Sequence, residues 1–405
     1  MKGRFKILLC AVPFGCDNIG DEAILACAVA IFRRLFPEAE LAASTFDGSG
    51  TEKLLGIQTI PLYKFKPVPE APPLTQVVAG YDLLVWCGAT GLSDYPEAAL
   101  EYIDAAREVG VPSVVWNTGM NSELNPALFS YSGRKRELLK FLGGMACGLV
   151  DPVSILEERK VAAARRHIAG SLSGCAFVAV RDPESRDELE TCGFHNAMVG
   201  ADSALRLESL PLPERYRSWL ADKGGGRRIG VCISQQRKLS DPARFVGLLD
   251  RLSAAGDQIL FIPMNPVTDR AVMHEMQREM RDPSGTLLLE DVTAPGEVQA
   301  AAATCDAILS SRLHLLIFAS NVNVFPVGLE RGSKVSNFLA NFGLSAAGSV
   351  DDWNADRLFE ILREPHSEFA EKCAEVHENL IKRLDSVEAA LSEVVAALPD
   401  RRKGE

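Results

Sequence analysis

Two successive series of short apolar runs, separated by stretches of helical spacing, constrain this chain more than any other feature. In the first series FKILLCAV (5–12), AELAAST, LLGIQTI, YDLLVWCG, PSVVWNTG, FVAVRD and NAMVGAD read as strands. Helical patterns run from about Asp21 to Phe36 and at 97–109, 134–145, 154–168 and 183–192. In the second series RRIGVCIS, QILFIPMN, TLLLED, DAILSS and VNVFPVGL alternate with helices at 241–255, 268–281, 295–303 and from about 312. Strands that are apolar on both faces need helices on both sides, which predicts two doubly wound α/β domains with parallel sheets. A Pro- and Gly-rich break, LESLPLPERYRSWLADKGGGRR, separates the two series. The expected organisation is a first domain over 1–207, a linker over 208–226, a second domain over 227–365, a helix over 366–398 and a frayed tail over 399–405. Ligands of such folds bind beyond the carboxyl ends of the strands, here in the cleft between the domains.

The 405 residues hold 43 Lys and Arg against 54 Asp and Glu, a formal charge of −11. That balance excludes a general pull toward nucleic acid or an anionic membrane, so an anionic ligand needs a local basic cluster. The 10 cysteines stand singly, with no C-x-x-C pair for zinc or redox work, and fit a reducing, cytoplasmic compartment. No clustered His, Asp and Glu set suggests a metal or a bound cofactor. MKGRFKILLCAVPFGC has the look of a signal peptide. Its apolar stretch is far below the ~20 residues of a membrane span and flows into a helical pattern, so it reads as the first buried strand. No other segment is long and apolar enough to cross a bilayer.

Four places carry candidate chemistry. The loop FGCDNIGDE (14–22) has glycines at phosphate-loop spacing, but Asp21 and Glu22 stand where Lys and Ser/Thr are needed, so a nucleotide loop is rejected. Two readings of it stay open: Asp21 as a helix N-cap with Gly20 turning the chain, or Asn18, Gly20 and Asp21 offered to a neutral, hydroxyl-rich ligand. SSRLHLL (310–316) ends a strand and opens a helix with Arg312 and His314 two residues apart, where the helix start and a guanidinium both favour an anion. Arg181 ends another strand before a helix capped by Asp182, and suits an anion or an ion pair equally. Lys334 opens a helix, the less favoured place for a cation.

Taken together the motifs resemble the polysaccharide pyruvyltransferase family. They are, in order, NIGDEAIL (18–25), VAVRDPESRDELETCGF (178–194), GADSALRL (200–207), FIPMNPVTD (261–269), SSRLHLLIFASNV (310–322) and GSKVSNFLANFGL (332–344). The resemblance implies two Rossmann-like domains arranged as in GT-B glycosyltransferases, with the acceptor on the first domain and the donor on the second. It implies phosphoenolpyruvate as donor and a glycan, free or lipid-linked at the cytoplasmic membrane face, as acceptor. By motif, Arg181 and Arg312 would hold the donor's phosphate and carboxylate, with Leu313 and Lys334 beside them. His314 would act as the acid, Asp21 as a base, and Asn18 and Gly20 would line the cleft. The family's usual glycine triplet is replaced here by Trp86-Cys87-Gly88-Ala89-Thr90-Gly91, and its G-Q-G-x-G-P-like turn by Trp116-Asn117-Thr118-Gly119-Met120-Asn121. Both differences fall on the acceptor side. A GT-B glycosyltransferase using a nucleotide sugar and a non-catalytic glycan- or anion-binding protein are the alternatives.

Overall fold

A computed structural model describes residues 4–145, 151–222, 224–234 and 239–398; the expected tail at 399–405 lies outside them. β1 (Lys6–Phe14), β2 (Glu40–Thr45), β3 (Gln58–Pro61), β4 (Leu83–Cys87), β5 (Ser113–Thr118), β6 (Phe177–Val180) and β7 (Met198–Val199) form one parallel sheet in the order β3-β2-β1-β4-β5-β6-β7. β8 (Arg228–Cys232), β9 (Gln258–Phe261), β10 (Thr286–Leu288), β11 (Ala307–Ser310) and β12 (Phe325–Gly328) form a second, ordered β10-β9-β8-β11-β12. Every residue of β4, β5 and β11 is buried, the consequence of helices packing on both faces. Strand order reverses between β1 and β4 and again between β8 and β11, so the loops after these strands open into the crevice.

Two expectations are corrected. The stretch 208–226 is not a bare linker, because it contains a helix, Glu214–Ala221, whose Tyr216 and Leu220 join the second core. Arg228, fully buried, ties that helix down. Its guanidinium donates to the carbonyls of Leu220 (2.8 Å), Asp222 (2.9 Å) and Trp219 (3.1 Å), groups a helix end leaves unsatisfied, and lies over the Trp219 ring. The first helix starts at Ile19 with Asn18 at its cap position, so Asp21 sits within its first turn and is not the cap.

The C-terminal helix, Phe369–Ala397, locks the halves together. Its Leu380 and Leu384 pack into the second core, while Val387 and Leu391 pack into the first. Glu388, almost fully buried, receives Arg34 and Arg206 from the first half. Closer to the crevice the Ile19 N–H donates to the Met264 carbonyl (2.9 Å) and Asn321 to the Ala204 carbonyl (2.9 Å).

Candidate functional site

β11 brings the second-domain wall to the crevice. Its last residue, Ser310, uses one hydroxyl to accept the Arg312 N–H and to donate to the Arg312 carbonyl, both at 2.9 Å. That turn puts Arg312 at the cap position of the helix Leu313–Asn321. The guanidinium then meets Asp269 along two edges, Nε to Oδ2 at 3.1 Å and Nη2 to Oδ1 at 2.7 Å, and also meets Thr268 Oγ1 at 2.7 Å. Asp269 is fully buried and comes from the loop after β9. Burial works against the charge of Arg312, and Asp269 outweighs it, so the pKa lies above its ordinary value. These bonds use Nε and Nη2; Nη1 carries none among the described residues.

His314, two residues on, faces the first domain. Its Nε2 lies 3.6 Å from Asp202 Oδ2, too long for a hydrogen bond, and is buried with no hydrogen-bond partner. The ring's other nitrogen faces Gly20. A Cβ placed on Gly20 would lie 2.2 Å from Nδ1, so this helical position must be glycine for close approach and not for turning the chain. Beside it Asn18 Nδ2 donates to Asp21 Oδ2 at 2.7 Å. Burial raises the Asp21 pKa above the usual carboxylate value, against the charges of His314 and Lys334, the Asn18 hydrogen bond and Arg312. Asp21 therefore faces the cations of the opposite wall.

Arg181 resolves to the ion-pair reading. Its Nε meets Asp182 Oδ2 at 3.1 Å and its Nη1 reaches Asp202 Oδ2 at 3.5 Å, in a side chain only 5% exposed. Gly119 packs against the guanidinium, which a Cβ there would meet at 2.6 Å. Asp202 thus stands between Arg181 and His314. Burial opposes its ionisation, but His314, Arg181 and the Ala204 N–H outweigh it and hold the carboxyl down at about 2. Lys334 opens the helix Lys334–Ala340 and reaches across the crevice to Asp94 Oδ2 at 3.7 Å; next to it, Ser122 N–H donates to Ser333 Oγ at 3.4 Å.

The polar residues singled out by sequence come together where the two domains meet, whereas the Leu313 side chain is buried in the second core, and the cations do not arrive alone. Arg312 comes with Asp269, Arg181 with Asp182 and Asp202, and Lys334 with Asp94. Sequence reasoning missed those acids except Asp182, and it missed Tyr95. Burial, then Asp21 and Asp94, keep the Tyr95 hydroxyl protonated well above its ordinary pKa, against Arg181. On the first-domain wall the Asn117 amide, Thr118 Oγ1 and Asn121 Oδ1 are buried without hydrogen-bond partners. Ala89 and Asn117 hold left-handed backbone (φ 60° and 51°), a conformation the altered turns keep without glycine. Buried polar groups left unpaired cost stability and call for an explanation, which a polar ligand would supply. In the loop after β1 the Gly15 N–H donates to Glu22 Oε1 at 2.7 Å, while burial pushes the Glu22 carboxyl up to about 7.

The fold is shared with sugar-nucleotide enzymes. S. aureus MnaA, solved with UDP, superposes with a TM-score of 0.58 at 11% identity, covering 95% of this chain and 96% of that one. Anabaena HepE in complex with UDP and glucose gives 0.58 at 13% identity, covering 97% and 100%. UDP-GlcNAc 2-epimerase from Neisseria meningitidis gives 0.54 at 12%, covering 94% and 100%. At such identities the likeness establishes the GT-B arrangement of two Rossmann-like domains and nothing about the ligand. No curated protein matches the sequence. The family model for polysaccharide pyruvyl transferase matches residues 18–333, a span running from the Asn18 that holds Asp21 to the Ser333 that bridges the crevice, and this chain belongs to that family.

Proposed function

We propose that the crevice transfers the pyruvyl group of phosphoenolpyruvate to two hydroxyls of a glycan, closing a cyclic ketal and releasing phosphate. The observation that carries this reading is the meeting of His314, Arg312 and Lys334 from one domain with Asp21 and Asp202 from the other. The donor is an enol phosphate, and its C3 must gain a proton before C2 can accept oxygen. His314 supplies that proton, with Asp202 and Gly20 fixing the ring. One hydroxyl bonds C2, and the C2–O bond to phosphate breaks with its electron pair leaving on phosphate. The second hydroxyl then bonds C2 and closes the ketal. Of the two hydroxyl protons, one restores His314 and the other passes to Asp21, whose burial raises its pKa and makes its carboxylate a better proton acceptor than an exposed one.

Donor charge is met mainly by the second wall. Arg312 is held by Asp269 through Nε and Nη2, which leaves Nη1 for the donor, and the N–H groups at Leu313 and the rest of the helix start add to it. Lys334 is the loosest cation, about a third exposed and 3.7 Å from Asp94, and it is the one free to turn to a trianionic donor. Arg181 acts as a positioning residue through Asp202. Asn18 and Asn121 are the amides offered to the acceptor, free or lipid-linked.

Thermal stabilisation with phosphoenolpyruvate, pyruvate, phosphate and UDP-sugars tests the donor, because binding raises apparent stability by mass action. Phosphoenolpyruvate is expected to raise Tm and UDP-sugars to leave it unchanged. His314→Ala is expected to keep that shift while lowering glycan-dependent phosphate release by roughly 10²–10⁴-fold. Stabilisation by UDP-sugars alone would turn the reading to nucleotide-sugar chemistry, and a fully active His314→Ala would remove the acid.

A further inference from the structure

A net charge of −11 hides one strongly basic region. Residues 131–172 carry eight Lys and Arg against four Asp and Glu. Its leading element is the helix Gly133–Met145, in which Arg134, Lys135, Arg136 and Lys140 are all exposed. The same helix exposes Leu138 (58%) and Phe141 (64%). Arg134, Leu138 and Phe141 follow one another at i, i+4 and i+7, so they share one face. Of the nine large apolar side chains exposed among the described residues, four lie within 128–155, the other two being Leu128 and Ile155. The helix packs against the helix Pro152–Leu172, which adds further cations. From Ser122 at the crevice the chain runs directly into this region.

We propose that this face docks the protein on an anionic lipid bilayer, with Leu138 and Phe141 entering the acyl boundary and the flanking Lys and Arg meeting lipid phosphates. Basic residues beside exposed apolar ones on a single helix face are the pattern of helices that lie in a membrane surface. Charge complementarity selects this occupant. A second copy in a two-fold dimer would set the basic face against itself, since such an interface uses the same patch on both subunits. A soluble acidic partner would use the charges and leave the apolar pair without a role. The docking stands on the helix alone; its use, presenting a lipid-linked acceptor to the crevice, rests on the pyruvyl-transfer reading.

Flotation of the full chain with phosphatidylcholine vesicles, with and without phosphatidylglycerol, tests the surface. Partition onto the anionic vesicles is expected to be at least about tenfold higher and to fall at high salt. Phe141→Ser with Leu138→Ser, and separately Arg134→Gln with Lys135→Gln, are each expected to lower it about tenfold at unchanged Tm and circular dichroism. Equal binding to neutral vesicles, no binding to either, or double variants that float like the parent chain overturns the proposal. So does a dimer that Phe141→Ser splits, which assigns the face to a second copy. The readout needs neither donor nor acceptor. Its failure therefore leaves the pyruvyl-transfer reading standing, and failure in the stabilisation screen leaves the docking surface standing.

Discussion

The two walls of the crevice differ in how much buried polarity they leave unmet: His314 Nε2 alone of the site residues named on the second, against atoms of Asn117, Thr118 and Asn121 on the first. On the second-domain wall the charge of Arg312 is met by a fully buried Asp269 along two edges, and Ser310 closes the turn beneath it. On the first-domain wall the Asn117 amide, Thr118 and Asn121 keep buried atoms without partners, and beside the loop after β1 the half-buried Glu22 has its pKa pushed up to about 7. A wall whose charges are already paired is rigid and suited to one fixed ligand, which fits an invariant donor. A wall with unmet hydrogen-bonding capacity is completed by what binds it, which fits a polyhydroxyl acceptor that differs from one enzyme to another. The altered turns at 86–91 and 116–121 lie on that second kind of wall.

Three substitutions test the contrast. Asp269→Asn should have the largest effect, because it leaves Arg312 buried and unpaired. A loss of about 3–5 kcal/mol is expected in urea unfolding, together with loss of the stabilisation by phosphoenolpyruvate. A loss below about 1 kcal/mol would show that the pair is dispensable and the contrast unfounded. Gly20→Ala should come next, since the new Cβ must push His314 off its position from 2.2 Å away. Glycan-dependent turnover should fall by about 10²-fold with Tm little changed, as displacing a catalytic group by about 1 Å costs that much. Wild-type turnover would mean that the ring position does not matter.

Glu22→Gln should be the smallest. With its folded pKa raised from an ordinary 4.5 to about 7, Glu22 binds more protons folded than unfolded, so its contribution to stability declines as pH rises between those values. The Gln variant should therefore melt higher than the parent at pH above 7 and show no advantage below the ordinary carboxylate pKa. An equal Tm difference at both ends would remove Glu22 as the titrating group.

Much of this was legible in the chain. Apolar runs such as KILLCAV and VVW became central strands because a doubly covered sheet leaves few other places for them. Arg312 and His314 stood out because two basic groups at a helix start have no local partner that explains them. Asp269 did not stand out, since an acid at the head of a helix reads as a cap. It occupies the cap position of the helix Arg270–Glu279, yet its side chain makes no cap bond and goes to Arg312. Asp202 was disguised in the same way. It does cap Ala204 through one oxygen (3.0 Å) while the other faces Arg181 and His314. Asp94 and Tyr95 gave no signal at all, because beyond the local Thr90–Asp94 bond their partners, such as Asn121, Phe65 and Lys334, lie in other loops or in the other domain.

From the sequence come two parallel α/β sheets, a helix from about 312 with Arg312 and His314 at its start, and a net charge that no anionic ligand would seek. These follow from periodicity, capping and counting, which act over a few residues or over the whole chain. Tertiary packing settles which carboxylate meets which cation, why Gly20 carries no side chain, and that the helix face bearing Arg134, Leu138 and Phe141 is left uncovered. Those depend on contacts between segments up to hundreds of residues apart, or on which side of a helix is left uncovered. The overall negative charge is thus an average over an acidic surface, a crevice whose cations come ready-paired, and one helix whose cations face outward.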